Sequence, residues 1–228
     1  GSLASGDMDA DTAQVQAKDI LRSLDHSSGQ GHTLAALGRD YLDMVERRQA
    51  CEGLSQALPT KLVDLDRLLG GGFRPSEFVI IAGRTSQGKT ALALTVLTNV
   101  AKQGGRCLLF SLEMSAAAMY HRMLAVSSGV PLAQIRDYNP DESHWPPVLQ
   151  GVAKLTHLDV EIAPKEVRSV QRIVAYAQAH HDRAPIDLIV VDYLQQIKGG
   201  GGDNRQLEVA RLARELQDMA MALDVPVV

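Results

Sequence analysis

An apolar run at residues 78–81 meets a loop that opens at Gly83 and closes at Gly88, Lys89 and Thr90, and a helical pattern follows to Thr98. The spacing is GxxxxGKS/T, set between a strand pattern and a helix pattern, the context that makes it informative. Gly83 permits a sharp turn off the strand, and Gly88 lets backbone N–H groups approach phosphate oxygens with no Cβ in the way. The loop residues Gly83, Arg84, Thr85, Ser86, Gln87 and Gly88 therefore read as an anion nest. Lys89 supplies a cation for the outer phosphates, and the Thr90 hydroxyl is placed to ligate Mg2+. Both stand at a helix N-terminus, whose dipole also favours anions. The expected ligand is a nucleotide with Mg2+.

Strands and helices alternate beyond this loop, which predicts an α/β fold with a mostly parallel sheet flanked by helices. Strands are expected at 78–81, 106–112, 158–162, 186–191 and from 225 onward. Helices are expected at 115–128, 141–155, 167–181 and 205–223. Trp145, the one tryptophan, reads as a packing residue. His180 and His181 close a helix where they suit the dipole, and further ligands at metal-site spacing are not evident. The buried-looking Cys107 reads as a reduced thiol.

The 228 residues suit one or two domains. Residues 1–32 are polar and rich in small side chains, with one possible amphipathic helix at 10–24. Residues 33–53 carry a linker helix capped by Thr33, with Leu34, Leu37, Tyr41, Met44 and Val45 on one stripe. That stripe can bury itself in its own core or in a groove on a neighbouring subunit. Residues 54–228 form the nucleotide domain. A net charge of -4 argues against a surface coated in basic charge, yet nucleic acid stays possible if the cations gather on one lining. No apolar span reaches membrane length and no signal-peptide pattern stands at the N-terminus, so the expected location is the cytosol.

A phosphate loop alone does not specify a reaction. Ligands of parallel sheets bind at the C-terminal ends of the strands, and two carboxylates are expected there. Asp192 follows four apolar residues, as a holder of Mg2+ should, or it caps a loop. Glu113 ends another strand, where it could deprotonate a water or simply face a helix dipole.

The segments GRTSQGKT, SLEMS, DLIVVDYLQ and NRQLEVARLARELQDMAMALDVPVV resemble, in order and spacing, the motifs of DnaB-family replicative DNA helicases. The likeness covers about residues 33–228. It implies a RecA-like P-loop NTPase core preceded by a linker helix. It also implies ATP with Mg2+, phosphate and metal binding by Lys89 and Thr90, Asp192 as the Walker B acid, and Glu113 as the catalytic glutamate. Members of that family form hexameric rings that hydrolyse ATP between subunits and translocate on single-stranded DNA. By the same resemblance, residues 33–49 dock on a neighbour. Lys198 and Arg205 flank a Gly-rich segment that faces the pore, or is a plain surface loop. Primase and a helicase loader are implied partners, in a bacterial or phage-infected cell. Measured against the family, the chain lacks the primase-interacting domain and ends before the principal DNA loops and the arginine finger, which implies weak turnover by the chain alone. Two rivals share the P-loop: a RecA- or RadA-like recombination ATPase, and a nucleotide-gated assembly or loader subunit without motor work.

Overall fold

A computed structural model describes residues 33–50, 57–84, 86–192 and 205–228. The chain divides into two units, Gly1–Ser55 and Gln56–Val228. In the first, helix α1 (Leu34–Ala50) begins where Thr33 Oγ1 accepts from the Ala36 amide at 3.1 Å, the capping role expected of that threonine. Leu34, Leu37 and Tyr41 on its apolar stripe are 87%, 47% and 64% exposed. The helix expected at 10–24 lies outside the described residues.

The second unit runs α2 (Val63–Leu68), α3 (Lys89–Lys102), β1 (Cys107–Ser111), α4 (Ala116–Ser128), α5 (Leu132–Arg136), α6 (Trp145–Thr156), β2 (Val160–Ile162), α7 (Val170–His181), β3 (Leu188–Asp192) and α8 (Arg205–Leu223). The three strands are parallel in the order β2-β1-β3. Residues 226–228 extend the sheet beyond β3: the Ile189 amide donates to Pro226 O, and the Val228 amide donates to Ile189 O. Residues 77–79 then lie beside them, with the Val79 amide on Val227 O and the Val227 amide on Glu77 O. All of these segments run the same way, so the phosphate loop, the end of β1 and the end of β3 share one rim.

Side chains along a strand alternate between faces. Cys107, Leu109, Leu188 and Val190 therefore join α3 and α4 in one core, through Leu94, Leu97, Val100, Met119 and Met123. Leu108, Phe110 and Ile189 face the other side, where Val170, Ile173 and Ala177 of α7 meet Leu212, Leu216, Met219 and Leu223 of α8. The result is a three-layer α/β/α sandwich. Each such side chain contributes about 1.5–3 kcal/mol on full burial.

Several elements differ from the sequence reading. The strand expected at 78–81 is reduced to a bridge at Phe78, and Ile80 is 62% exposed, because residues 77–79 have a partner on one side only among the described residues. The helix expected at 141–155 is a 3-10 turn, Glu142–His144, followed by α6, whose first turn holds Pro146 and Pro147, residues without an N–H to donate. Trp145 is 49% exposed at the start of α6 and is not a core residue. The helix expected from 167 starts at Val170, where Ser169 Oγ accepts from the Arg172 amide. The short helices α2 and α5 had no counterpart in the sequence reading.

The two histidines of α7 serve packing. His180 stacks on Tyr176 with ring centroids 4.3 Å apart, and its Nδ1 lies 3.0 Å from Glu161 Oε2 at an angle unsuited to a hydrogen bond. His181 Nδ1 accepts from the Ile186 amide at 3.2 Å. Among the described residues no cluster of His, Cys, Asp and Glu could hold a metal ion, and no helix is long and apolar enough to cross a membrane.

Leu109 is fully buried at the centre of β1. Its replacement by alanine leaves a cavity between sheet and helices and is expected to cost about 2–5 kcal/mol, read as a lowered urea midpoint with an unchanged m-value. An unchanged midpoint would show that the sheet face repacks freely.

Candidate active site

Gly88 caps α3 with φ 86°, a left-handed backbone in which a side chain would be strained, and a Cβ there would meet nothing within 4 Å. The space beside its Cα is therefore open. Lys89 opens the helix and folds back over the loop: its Nζ donates to Gly83 O at 2.8 Å and to Arg84 O at 3.0 Å. Gln87 closes the same turn, its Oε1 accepting from the Arg84 amide at 3.0 Å while its own amide donates to Arg84 O at 3.3 Å. Ser86 also has a left-handed backbone, φ 66°. Thr85 lies outside the described residues.

Two elements distant in sequence meet next to this loop. Thr90 Oγ1 donates to Asp192 Oδ2 at 3.0 Å, joining the first turn of α3 to the tip of β3. Asp192 is 8% exposed. It is thus not a solvated carboxylate, and its backbone carbonyl accepts from the Leu112 amide at 2.8 Å. That bond extends the β1–β3 register, in which Ser111 pairs with Asp192, and so brings Glu113 to the same rim. Helix α4 starts at Ala116 with Ser115 as its cap and has no acidic residue in its first turn. Glu113 therefore stands outside the helix, at the exposed bend between β1 and α4.

The electrostatics tie these groups together. Burial, foremost, and the negative charge of Glu113 push the Asp192 carboxyl above the 3.8 of a free aspartate, while the Thr90 hydroxyl, Arg122 and Lys89 pull it down. Arg122 is the residue that sequence reasoning missed. It stands on α4, its charge reaches Asp192, and its Nε is buried without a hydrogen-bond partner among the described residues. Its only signal in the sequence was a cation on the helix after Glu113. Cys107 is 1% exposed, and burial, then Asp187 and Asp159, push its thiol up to about 12. Lys198 lies outside the described residues, and Arg205 is described only by its backbone at the start of α8.

The folded-state value of Asp192 lies above its unfolded value. Its ionised form therefore costs stability above the folded value, and that cost fades as pH falls through it toward 3.8. Asp192→Asn is expected to raise the melting temperature without nucleotide at about pH 7 and to lose the gain near about pH 4. Equal melting of the two proteins at the higher pH would contradict the assigned cost of burial.

Residues 57–228 match the family described as DnaB-like helicase C terminal domain. The replicative DNA helicase DnaC of Bacillus subtilis is 34% identical over 189 residues, 82% of this chain and 41% of that protein. The replicative DNA helicase DnaB of Geobacillus stearothermophilus is 33% identical over 192 residues, 83% of this chain and 41% of that protein. The chain thus spans about two fifths of the length of these relatives. Among solved structures, an ATPase domain matches with a TM-score of 0.75 at 24% identity, over 84% of this chain and 69% of that one. A DnaB-like replicative helicase, described with its interactions with primase, matches with a TM-score of 0.73 at 22% identity, over 95% of this chain and 55% of that one. At these identities the two structures establish a shared RecA-like fold, and the match over residues 57–228 establishes that the chain belongs to the DnaB-like helicase C-terminal domain family.

Proposed function

We propose that the chain is the ATP-driven motor of a replicative DNA helicase, working as part of a hexameric ring on single-stranded DNA. The observation that carries this reading is the contact between Thr90 and Asp192 beside a phosphate loop, with Glu113 on the adjoining strand end. In this reading the loop amides and Lys89 receive the phosphates of ATP. The hydrogen bonds of Lys89 to Gly83 and Arg84 aim its ammonium before the nucleotide arrives. Thr90 and Asp192 would hold Mg2+: a hydroxyl and a carboxylate are the hard oxygen donors that this ion takes. When bound, the ion offsets negative charge on the β- and γ-phosphate oxygens. Glu113 takes the proton of the attacking water.

The remaining assignments rest on family membership and the sequence resemblance. Lys198 and Arg205 contact DNA phosphates, residues 33–49 dock on a neighbouring copy, and primase and a loader are partners in a bacterial or phage-infected cytoplasm. The exposure of Leu34, Leu37 and Tyr41 on α1 supports the docking.

In the full-length protein, Lys89→Ala is expected to lose nucleotide binding, DNA-stimulated ATPase and forked-duplex unwinding together. Glu113→Gln is expected to bind nucleotide normally and to turn it over about 10²-fold more slowly or worse. Wild-type turnover in Glu113→Gln would favour a nucleotide-gated assembly subunit, and strand pairing without unwinding would favour a recombination ATPase. For the docking helix, Leu37→Asp is expected to shift the assembly toward smaller species in light scattering, and an unchanged mass would refute the assignment.

A further inference from the structure

Glu113 stands in the bend between β1 and α4, and among the described residues one side chain hydrogen-bonds across that bend. Ser111, 6% exposed at the end of β1, donates from its hydroxyl to Met114 O at 2.9 Å, and the same oxygen accepts from the Met114 amide at 3.3 Å. A single side chain thus closes the bend from both sides, with Leu112 and Glu113 between its ends. Leu112 is 4% exposed and locks into the core that faces α7 and α8, which leaves Glu113 as the residue turned outward. On either side of the bend the chain is fixed: the Leu112 amide on Asp192 O before it, and the Ser115 hydroxyl accepting from the Ala118 amide at 3.2 Å after it.

We propose that Ser111 is the positioning residue for Glu113, holding its carboxylate at the rim beside Asp192 by clasping the backbone of Met114. The inference rests on the hydrolytic role proposed above for Glu113. Ser111 touches neither nucleotide nor water in this account; it acts through the bend. Among the described residues, removing its hydroxyl leaves a donor and an acceptor of Met114 without protein partners, and the bend can then open toward solvent. A carboxylate displaced by about 1 Å from its reacting position can lose two orders of magnitude in rate while binding stays unaffected.

The test compares Ser111→Ala, Ser111→Thr and Glu113→Gln in the full-length protein with single-stranded DNA. Ser111→Ala is expected to lower kcat at least about tenfold, with KM for ATP and the affinity for a fluorescent ATP analogue within about twofold of wild type. Ser111→Thr, which keeps the hydroxyl, is expected to restore most of kcat. Wild-type kcat in Ser111→Ala beside an impaired Glu113→Gln would overturn the role of Ser111 and leave that of Glu113 standing. Wild-type kcat in both would overturn both. Hydrogen exchange at the Met114 amide gives a readout free of turnover: Ser111→Ala is expected to accelerate it several-fold, and an unchanged rate would overturn the clasp.

Discussion

The register between β1 and β3 is the constraint on which the remainder of the site depends. Parallel pairing sets Ser111 opposite Asp192, and the next amide, that of Leu112, continues the ladder onto the Asp192 carbonyl. A slip of β3 by one residue would turn Asp192 away from Thr90 and exchange the two hydrophobic faces of that strand. Such a slip is opposed by the cores themselves. Leu109 and Val190 belong to the cluster of α3 and α4, while Leu108 and Ile189 belong to that of α7 and α8. The packing that stabilises the domain thus also sets the relative positions of its acidic groups.

The phosphate loop helix is tied down by different means. Asn99 Nδ2 donates to Thr60 O at 2.9 Å and Gln103 Nε2 to Pro59 O at 3.0 Å, fastening α3 to the segment that leads into the domain. Thr60 is itself held, its amide and hydroxyl both donating to Asp66 Oδ1. One end of α3 therefore bears the loop and the other is anchored by side-chain amides. Its buried face, Leu94, Leu97 and Val100, rests on the sheet.

What could be read in the sequence was local. The phosphate loop is a spacing of glycines and a lysine, and the two carboxylates each follow an apolar run, so Gly83 to Thr90, Glu113 and Asp192 stand out in the sequence as candidates. Family resemblance added their roles. Arg122 escaped because its influence on Asp192 depends on how α4 lies over the strand ends, which no period of the sequence encodes. The clasp of Ser111 escaped because a serine at a strand end reads as an ordinary polar stop; only the bend shows what it bonds. Helices α2 and α5 are too short to show a helical period, and Trp145 misled because large aromatic side chains are so often interior.

The mooring of Lys89 to the carbonyls of Gly83 and Arg84 carries a consequence for speed. A free lysine side chain surrenders up to about 2 kcal/mol of rotamer freedom when it is immobilised on a ligand. Here two hydrogen bonds already restrict that freedom in the folded chain. Under the proposed function, the ordering penalty of meeting a triphosphate shrinks accordingly. Capture would then need less of a search by this side chain, and a motor that must refill its sites repeatedly would gain most from such readiness.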